Sequence, residues 1–159
     1  MAKSINPTEV YQKWAAKAKK MNPKKLDDLI HSEHVSVFKK TDCLSCANCC
    51  KTTSPIFRDV DIQRISKHLR TTEQKFIATY LHMDSESDYV LISSPCSFLC
   101  AYNYCSIYDV RPLSCREYPN TDRKNMYQLL NLTIKNTEIC PAVKSILDKL
   151  IESKEFKAK

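Results

Sequence analysis

Cys43-Leu44-Ser45-Cys46-Ala47-Asn48-Cys49-Cys50 puts four thiols into eight residues, and five more cysteines follow at positions 96, 100, 105, 115 and 140. Thiolate is a soft ligand that selects zinc, copper(I) or iron–sulfur clusters over hard cations. Repeated CxxC spacing with further cysteines downstream reads as a metal site rather than as core packing. Two thiolates two residues apart can converge on one ion from a tight turn or a first helical turn. If 43–50 is helical, the 3.6-residue repeat places Cys43, Cys46 and Cys50 on one face and swings Cys49 about 100° away. Cys49 and Cys50 would then serve different sites, or different metals of one polynuclear site.

The octet cannot act alone, since a closed zinc site takes four ligands and so do common iron–sulfur cubanes. Cys140 precedes Pro141 at the start of a helix, where the dipole and the open N–H groups favour thiolate. Cys115 stands beside Arg116 and four residues after Arg111, cations suited to a thiolate-rich site or, more blandly, to surface ion pairs. Cys96 and Cys105 flank a tight turn and could hold one ion between them. Cys100 is the weakest candidate and is expected to be a buried thiol, since a free cysteine behaves as a small hydrophobe.

Composition narrows the classes. With 159 residues, 43% of them hydrophobic and 27% charged, the chain can bury a core without disulfide staples. No signal peptide is expected from Met1–Glu9, and no apolar run approaches the length of a membrane span. A cytoplasmic, reducing setting is therefore expected, in which nine cysteines serve as ligands rather than as a disulfide framework. The sequence contains no glycine. That excludes the P-loop, the GxGxxG dinucleotide fingerprint and the GxSxG elbow, each of which needs glycine for a strained turn or close backbone approach. The net charge of +7 gathers at Lys17, Lys19, Lys20, Lys24 and Lys25, at Lys39 and Lys40, and in the tail. Solvated helix faces and a frayed terminus account for it better than a nucleic-acid surface does.

The chain otherwise reads as helices around this cysteine core. Asn6-Pro7-Thr8-Glu9 and Asn22-Pro23 start two helices. The second carries Leu26, Leu29 and Ile30, and a short extended passage follows over 34–41. Asp59 is expected to cap a helix bearing Ile62, Ile65 and Leu69, and Thr71 or Thr72 a second bearing Phe76, Ile77 and Tyr80. These two helices would cover the metal core, with His68 and His82 as solvated residues rather than ligands. After a polar turn at 84–88, Tyr89–Ser93 is the best strand. A short helix capped by Asp109 would carry Cys115, 127–134 leans weakly to strand, and the last helix starts at Cys140-Pro141. The expected fold is mainly α with a small β element (α+β), one metal-stapled domain over 1–159. Its parts are a helical hairpin (1–38), a cysteine core (40–142), a C-terminal helix (141–153) and a basic tail (154–159).

Four motifs stand in order: Cys43-x2-Cys46-x2-Cys49-Cys50; Cys96-x-Phe98-Leu99; Cys105-Ser-Ile-Tyr108-x2-Arg111-Pro112-x2-Cys115-Arg116-x-Tyr118-Pro119; and Cys140-Pro141. From about residue 40 to 142 the chain resembles the CxxCxxCC family of zinc- or iron-chelating domains, which includes the bacterial YkgJ-like cysteine cluster proteins. The resemblance implies metal chelation by Cys43, Cys46, Cys49, Cys50, Cys96, Cys105, Cys115 and Cys140. A more distant similarity to flagellin lysine N-methylase implies an enzyme alternative, with an iron–sulfur cluster and S-adenosylmethionine. The lack of a glycine-rich cofactor loop weighs against that alternative. A zinc-stapled adaptor for nucleic acid or protein is the third reading. Two departures from the family pattern are the additional Cys100 and the absence of the glycine often found before Cys105.

Overall fold

In the computed structural model, which describes residues 7–157, helices dominate and one small antiparallel sheet accompanies them. In chain order the elements are α1 (Pro7–Ala18), α2 (Pro23–Phe38), α3 (Cys43–Cys46), α4 (Asn48–Thr52), α5 (Asp59–His68), α6 (Glu73–Tyr80), β1 (Leu81–Met83), β2 (Tyr89–Leu91), α7 (Leu113–Glu117), α8 (Met126–Asn136) and α9 (Pro141–Glu152). Two 3-10 turns, Ala101–Asn103 and Tyr108–Val110, lie between β2 and α7. The expected Asn6 cap and the last two residues of the basic tail lie outside the described residues. Among the described residues, no helix is long and apolar enough to cross a membrane.

The chain groups into two compact units, with residues 1–41 and 119–159 in one and 42–118 in the other. The first unit contains α1, α2, α8 and α9. Helical spacing sets its core: Tyr11, Trp14, Ala15 and Ala18 from α1 meet Leu26 and Ile30 from α2, and Val143, Ile146, Leu147 and Leu150 from α9. Each fully buried aliphatic side chain of this kind contributes roughly 1.5–3 kcal/mol. Asn22 caps α2 by accepting from the Lys25 amide at 3.2 Å, with Pro23 at the first helical position. The passage at 34–38, expected to be extended, continues α2 instead, and Val37 is buried at helical register with Ile30.

The weak strand preference over 127–134 is also overturned. Met126, Leu130 and Ile134 are buried at i, i+4 and i+8, which is a helical stripe. The start of α8 is held from a distance, because Asp27 on α2 accepts from the amides of Asn125 and Met126, both at 2.8 Å. His31 on α2 bonds the Arg123 carbonyl at 2.7 Å, and His34 bonds the Thr121 hydroxyl at 2.8 Å. Three polar residues on one face of α2 thus fix the segment leading into α8. This tertiary cap overrides the local β-branched preference of Thr133 and Ile134.

In the second unit α5 and α6 enclose an apolar cluster of Ile62, Ile65, Phe76, Phe57, Phe98 and Ile107. The rings of Phe76 and Phe98 stack at 6.1 Å, and Tyr80 approaches Phe98 at 4.9 Å. Thr72 caps α6 through the Lys75 amide at 3.2 Å. β1 and β2 pair antiparallel with Leu81 opposite Leu91, and Phe57 bridges Tyr89. Asp84 closes the intervening turn by accepting from the amides of Glu86 and Asp88.

Asp59 does not cap α5. The carboxylate that reaches back is Asp61, at the third helical position, which accepts from the Arg58 amide at 3.3 Å. Asp61 is fully buried. It also accepts from Arg58 Nε at 3.1 Å, Arg64 Nη2 at 2.6 Å and the Leu113 amide at 3.3 Å. Arg64 extends the clamp to the carbonyls of Val110 and Arg111, at 3.3 and 3.0 Å. One buried carboxylate therefore fixes residues 110–113 to α5. Burial opposes ionisation of Asp61, but the bonds from Arg58 and Arg64 outweigh it and hold the carboxyl below its usual range.

Removing Asp61 should be costly, because it leaves buried donors without an acceptor. Asp61→Ala is expected to lower unfolding stability by about 2–4 kcal/mol in a urea melt, the half-exposed arginines keeping it below the full cost of breaking a buried pair. A depressed carboxyl contributes stability above its unfolded value of about 4, and that contribution is lost as pH falls through the folded value. Wild-type stability should therefore drop more steeply than that of Asp61→Ala as pH is lowered below about 4.

The absence of glycine leaves a second testable mark. Arg70 follows α5 with φ 54°. The amide of Arg70 bonds the Lys67 carbonyl at 3.1 Å and that of Thr71 bonds the Ser66 carbonyl at 3.0 Å, forming a Schellman ending. Arg70 is exposed, so replacing it removes the cost of a left-handed side chain without opening a cavity. Arg70→Gly is expected to stabilise the protein by about 0.5–1 kcal/mol, read as a rise in melting temperature.

Candidate metal centre

The octet folds as two short helices rather than one. Asp42 caps α3 by accepting from the Leu44 amide at 3.0 Å and from the Ser45 hydroxyl. Ala47 then turns left-handed, with φ 48° and ψ 19°, and α4 begins immediately after it. The helical grouping of Cys43, Cys46 and Cys50 against Cys49 does not hold, because the single-helix geometry it requires is broken at Ala47. Cys49 and Cys50 instead share α4 as sequence neighbours, and the ionisation of each thiol depends on the other. Ala47 is itself buried, which fixes the break.

Two further segments of the second unit join these thiols. The Cys96 amide bonds the Cys50 carbonyl at 2.8 Å, which seats the Cys96 segment directly on α4. Leu99 and Cys105 then pair across an antiparallel bridge, with the Ser106 amide on the Phe98 carbonyl at 2.9 Å. Cys96 and Cys105 are half-buried and pack against the aromatic cluster. Asn103 reaches back to the Ser45 carbonyl at 2.7 Å and ties the turn to α3. Cys115 lies on α7, whose start is fixed by Asp61 through Leu113 and whose Ser114 hydroxyl bonds the Ile56 carbonyl at 2.8 Å.

Electrostatics links these sulfurs. The adjacent Cys49 thiol lowers Cys50, and the Cys50 thiol, with burial, raises Cys49. Burial pushes Cys115 up to about 12, with the charges of Cys50, Cys96 and Cys105 adding to the rise and Arg111 opposing it. Burial likewise raises Cys96 and Cys105, both of which feel the charge of Cys50. The charge of Cys50 therefore reaches Cys49, Cys96, Cys105 and Cys115, which with it come from three chain segments. Among the described residues, no three Cys, His, Asp or Glu side chains converge as a ready-made ion site. The donor set is gathered but not closed.

The other candidates are placed differently. Cys43 is exposed and Cys46 is half-buried, both on α3. Cys100, expected to be buried, is exposed. Phe98 points into the core, but Cys100 leads directly into the turn, where Tyr102 and Asn103 both adopt left-handed geometry. Its sulfur approaches the Phe98 carbonyl at 3.9 Å, and its charge adds to the rise of Cys105. Cys140 belongs to the first unit, where it stands at the N-cap of α9 and packs against that unit's core. His68 and His82 are exposed, as their helix and strand positions suggested. The Asp61–Arg64 clamp went unread in the sequence, although the Asp-x-x-Arg spacing at 61–64 is the helical signal that announces such a pair.

The chemistry of the donor set suits a borderline or soft metal: several thiols, no hard-oxygen cage, and a half-buried setting that favours an ion able to displace thiol protons. Searches of curated proteins and of solved structures returned no match. Comparison with family models matches residues 42–141 to CxxCxxCC, described as "Putative zinc- or iron-chelating domain". The match spans the whole second unit, continues to the start of α9, and covers more than half of the chain, so the protein belongs to the CxxCxxCC family of zinc- or iron-chelating domains.

Proposed function

We propose that the second unit is a chelating centre that binds zinc or an iron–sulfur cluster through cysteine thiolates. The ligands come from Cys43, Cys46, Cys49, Cys50, Cys96, Cys105 and Cys115. The observation that carries this reading is the gathering of Cys49, Cys96, Cys105 and Cys115 around Cys50, five half-buried thiols delivered by α4, by the 96–105 hairpin and by α7. Burying five sulfurs that resist joint ionisation has little benefit for packing alone. It suits a site where a cation takes the place of the protons. A bound metal would offset part of the thiolate charge and staple the three segments, so binding and stability should rise together.

Cys140 lies in the other unit and forms no part of this proposal. We place the protein in a reducing compartment such as the cytoplasm, where the thiols stay available for metal.

Substitution at α7 separates this reading from a merely packed thiol cluster. Cys115→Ser is expected to lower metal affinity by more than about 100-fold, beyond the range seen when a supporting partner of a ligand is lost. Its metal-loaded melting temperature should fall towards that of the metal-free protein. Cys100→Ser should keep its metal. Elemental analysis and the visible absorption of anaerobically purified protein read both outcomes. A Cys115→Ser protein with full metal content would sink the assignment.

A further inference from the structure

Arg111 and Arg116 are two candidate cations beside the same cysteine, and the structure treats them differently. Arg116 is exposed on α7. Arg111 is half-buried, and its guanidinium carbon lies 3.9 Å from the centroid of the Tyr108 ring. Its Nη1 also donates to the Tyr108 carbonyl at 2.6 Å. The backbone is held as firmly as the side chain, because the Arg111 carbonyl accepts from Arg64 Nη2 at 3.0 Å and Arg64 is itself anchored on buried Asp61. The Tyr108 amide in turn bonds the Cys105 carbonyl at 3.2 Å. The cation is therefore locked to the segment that runs from Cys105 to Cys115, with Pro112 as the N-cap of α7 immediately after it. A ring face and a carbonyl fix a guanidinium without neutralising it, as a carboxylate partner would.

We propose that Arg111 is the fixed counter-cation of the thiolate centre, a positioning residue that raises metal affinity through charge rather than by touching the metal. This rests on the chelation reading above. The Arg111 guanidinium is bonded to the segment that joins Cys105 to Cys115. The charge balance gives the sign. When a divalent ion replaces the protons of four neutral thiols, four protons leave and the centre goes from neutral to a net charge of about −2. A cation held nearby stabilises the loaded form against the empty one. Orientation by Tyr108 matters because a mobile arginine would move out to solvent, where its effect is screened.

The test is zinc affinity by chelator competition, with zinc alone as the probe, on the full chain at low ionic strength. Arg111→Gln is expected to bind about tenfold more weakly than wild type, within the range for lost outer-shell partners. Arg111→Lys, which keeps the charge but not the fork, should recover most of that loss, and Arg116→Gln should stay close to wild type. The gap between wild type and Arg111→Gln should shrink as salt approaches about 1 M, where the screening length falls to about 3 Å. A merely structural role would make Arg111→Lys as weak as Arg111→Gln and leave the gap insensitive to salt. Either result, or wild-type affinity in Arg111→Gln, overturns the inference. Should Arg111→Gln not fold, Arg111→Lys and Arg116→Gln carry the test. A Lys variant more than about tenfold weaker than wild type, or an Arg116→Gln loss as large, then overturns it. Wild-type protein that binds neither zinc nor iron overturns the chelation reading itself, a separate and recognisable failure.

Discussion

Thiolates drawn together in a partly desolvated interior repel one another, and that repulsion is the constraint under which the second unit is built. Cys115 shows it most plainly: burial and three neighbouring sulfurs push its thiol up to about 12. Cys49 and Cys50 meet the same difficulty as neighbours, one thiol raised and the other lowered. Hydrophobic association alone does not favour such a cluster, because each thiol that ionises makes the next harder to ionise. A cation relieves the repulsion. The chelating character of the family and the electrostatics of the unit point to the same chemistry.

Holding the thiols against their repulsion falls to groups that are not ligands. The hairpin that carries Cys96 and Cys105 rests on the stacked rings of Phe76 and Phe98, and its first residue is bonded to the Cys50 carbonyl. The segment before Cys115 is bonded through Asp61 and Arg64 to α5. Asp61 is thus a buried charge with a definite structural assignment. It positions residues 110–113, and through them both α7 and the guanidinium of Arg111. Buried ion pairs are a poor source of net stability but a good source of fixed geometry. The proposed site, with donors from three segments, depends on that geometry.

Much of this was legible in the residues. The octet, the Arg111-Pro112-x2-Cys115 motif and Cys140-Pro141 marked the family and the chelating chemistry, and Asn22-Pro23 and Thr72 marked helix starts that the structure keeps. The misreadings have physical causes. With no glycine in the chain, left-handed positions fall on Ala47, Arg70, Tyr102 and Asn103, so the break between α3 and α4 carried no punctuation. The helix at 126–136 is capped by Asp27, about 100 residues earlier in sequence, and no local window contains that interaction. Cap rules favour the boundary residue Asp59, whereas here Asp61, at the third helical position, reaches back. Cysteine is usually buried, which makes Cys100 read as a core thiol, but the turn that exposes it depends on two left-handed residues.

The central claim is that the cysteines of the second unit bind metal. The most direct measurement combines the metal-to-protein ratio of anaerobically purified wild type with a count of alkylatable thiols before and after a strong chelator. The account predicts a stoichiometric zinc or iron centre, with Cys50, Cys96, Cys105 and Cys115 protected until the chelator removes the metal. Protein that carries no metal, takes up neither zinc nor iron on addition, and shows the same thiol reactivity with and without chelator would contradict it.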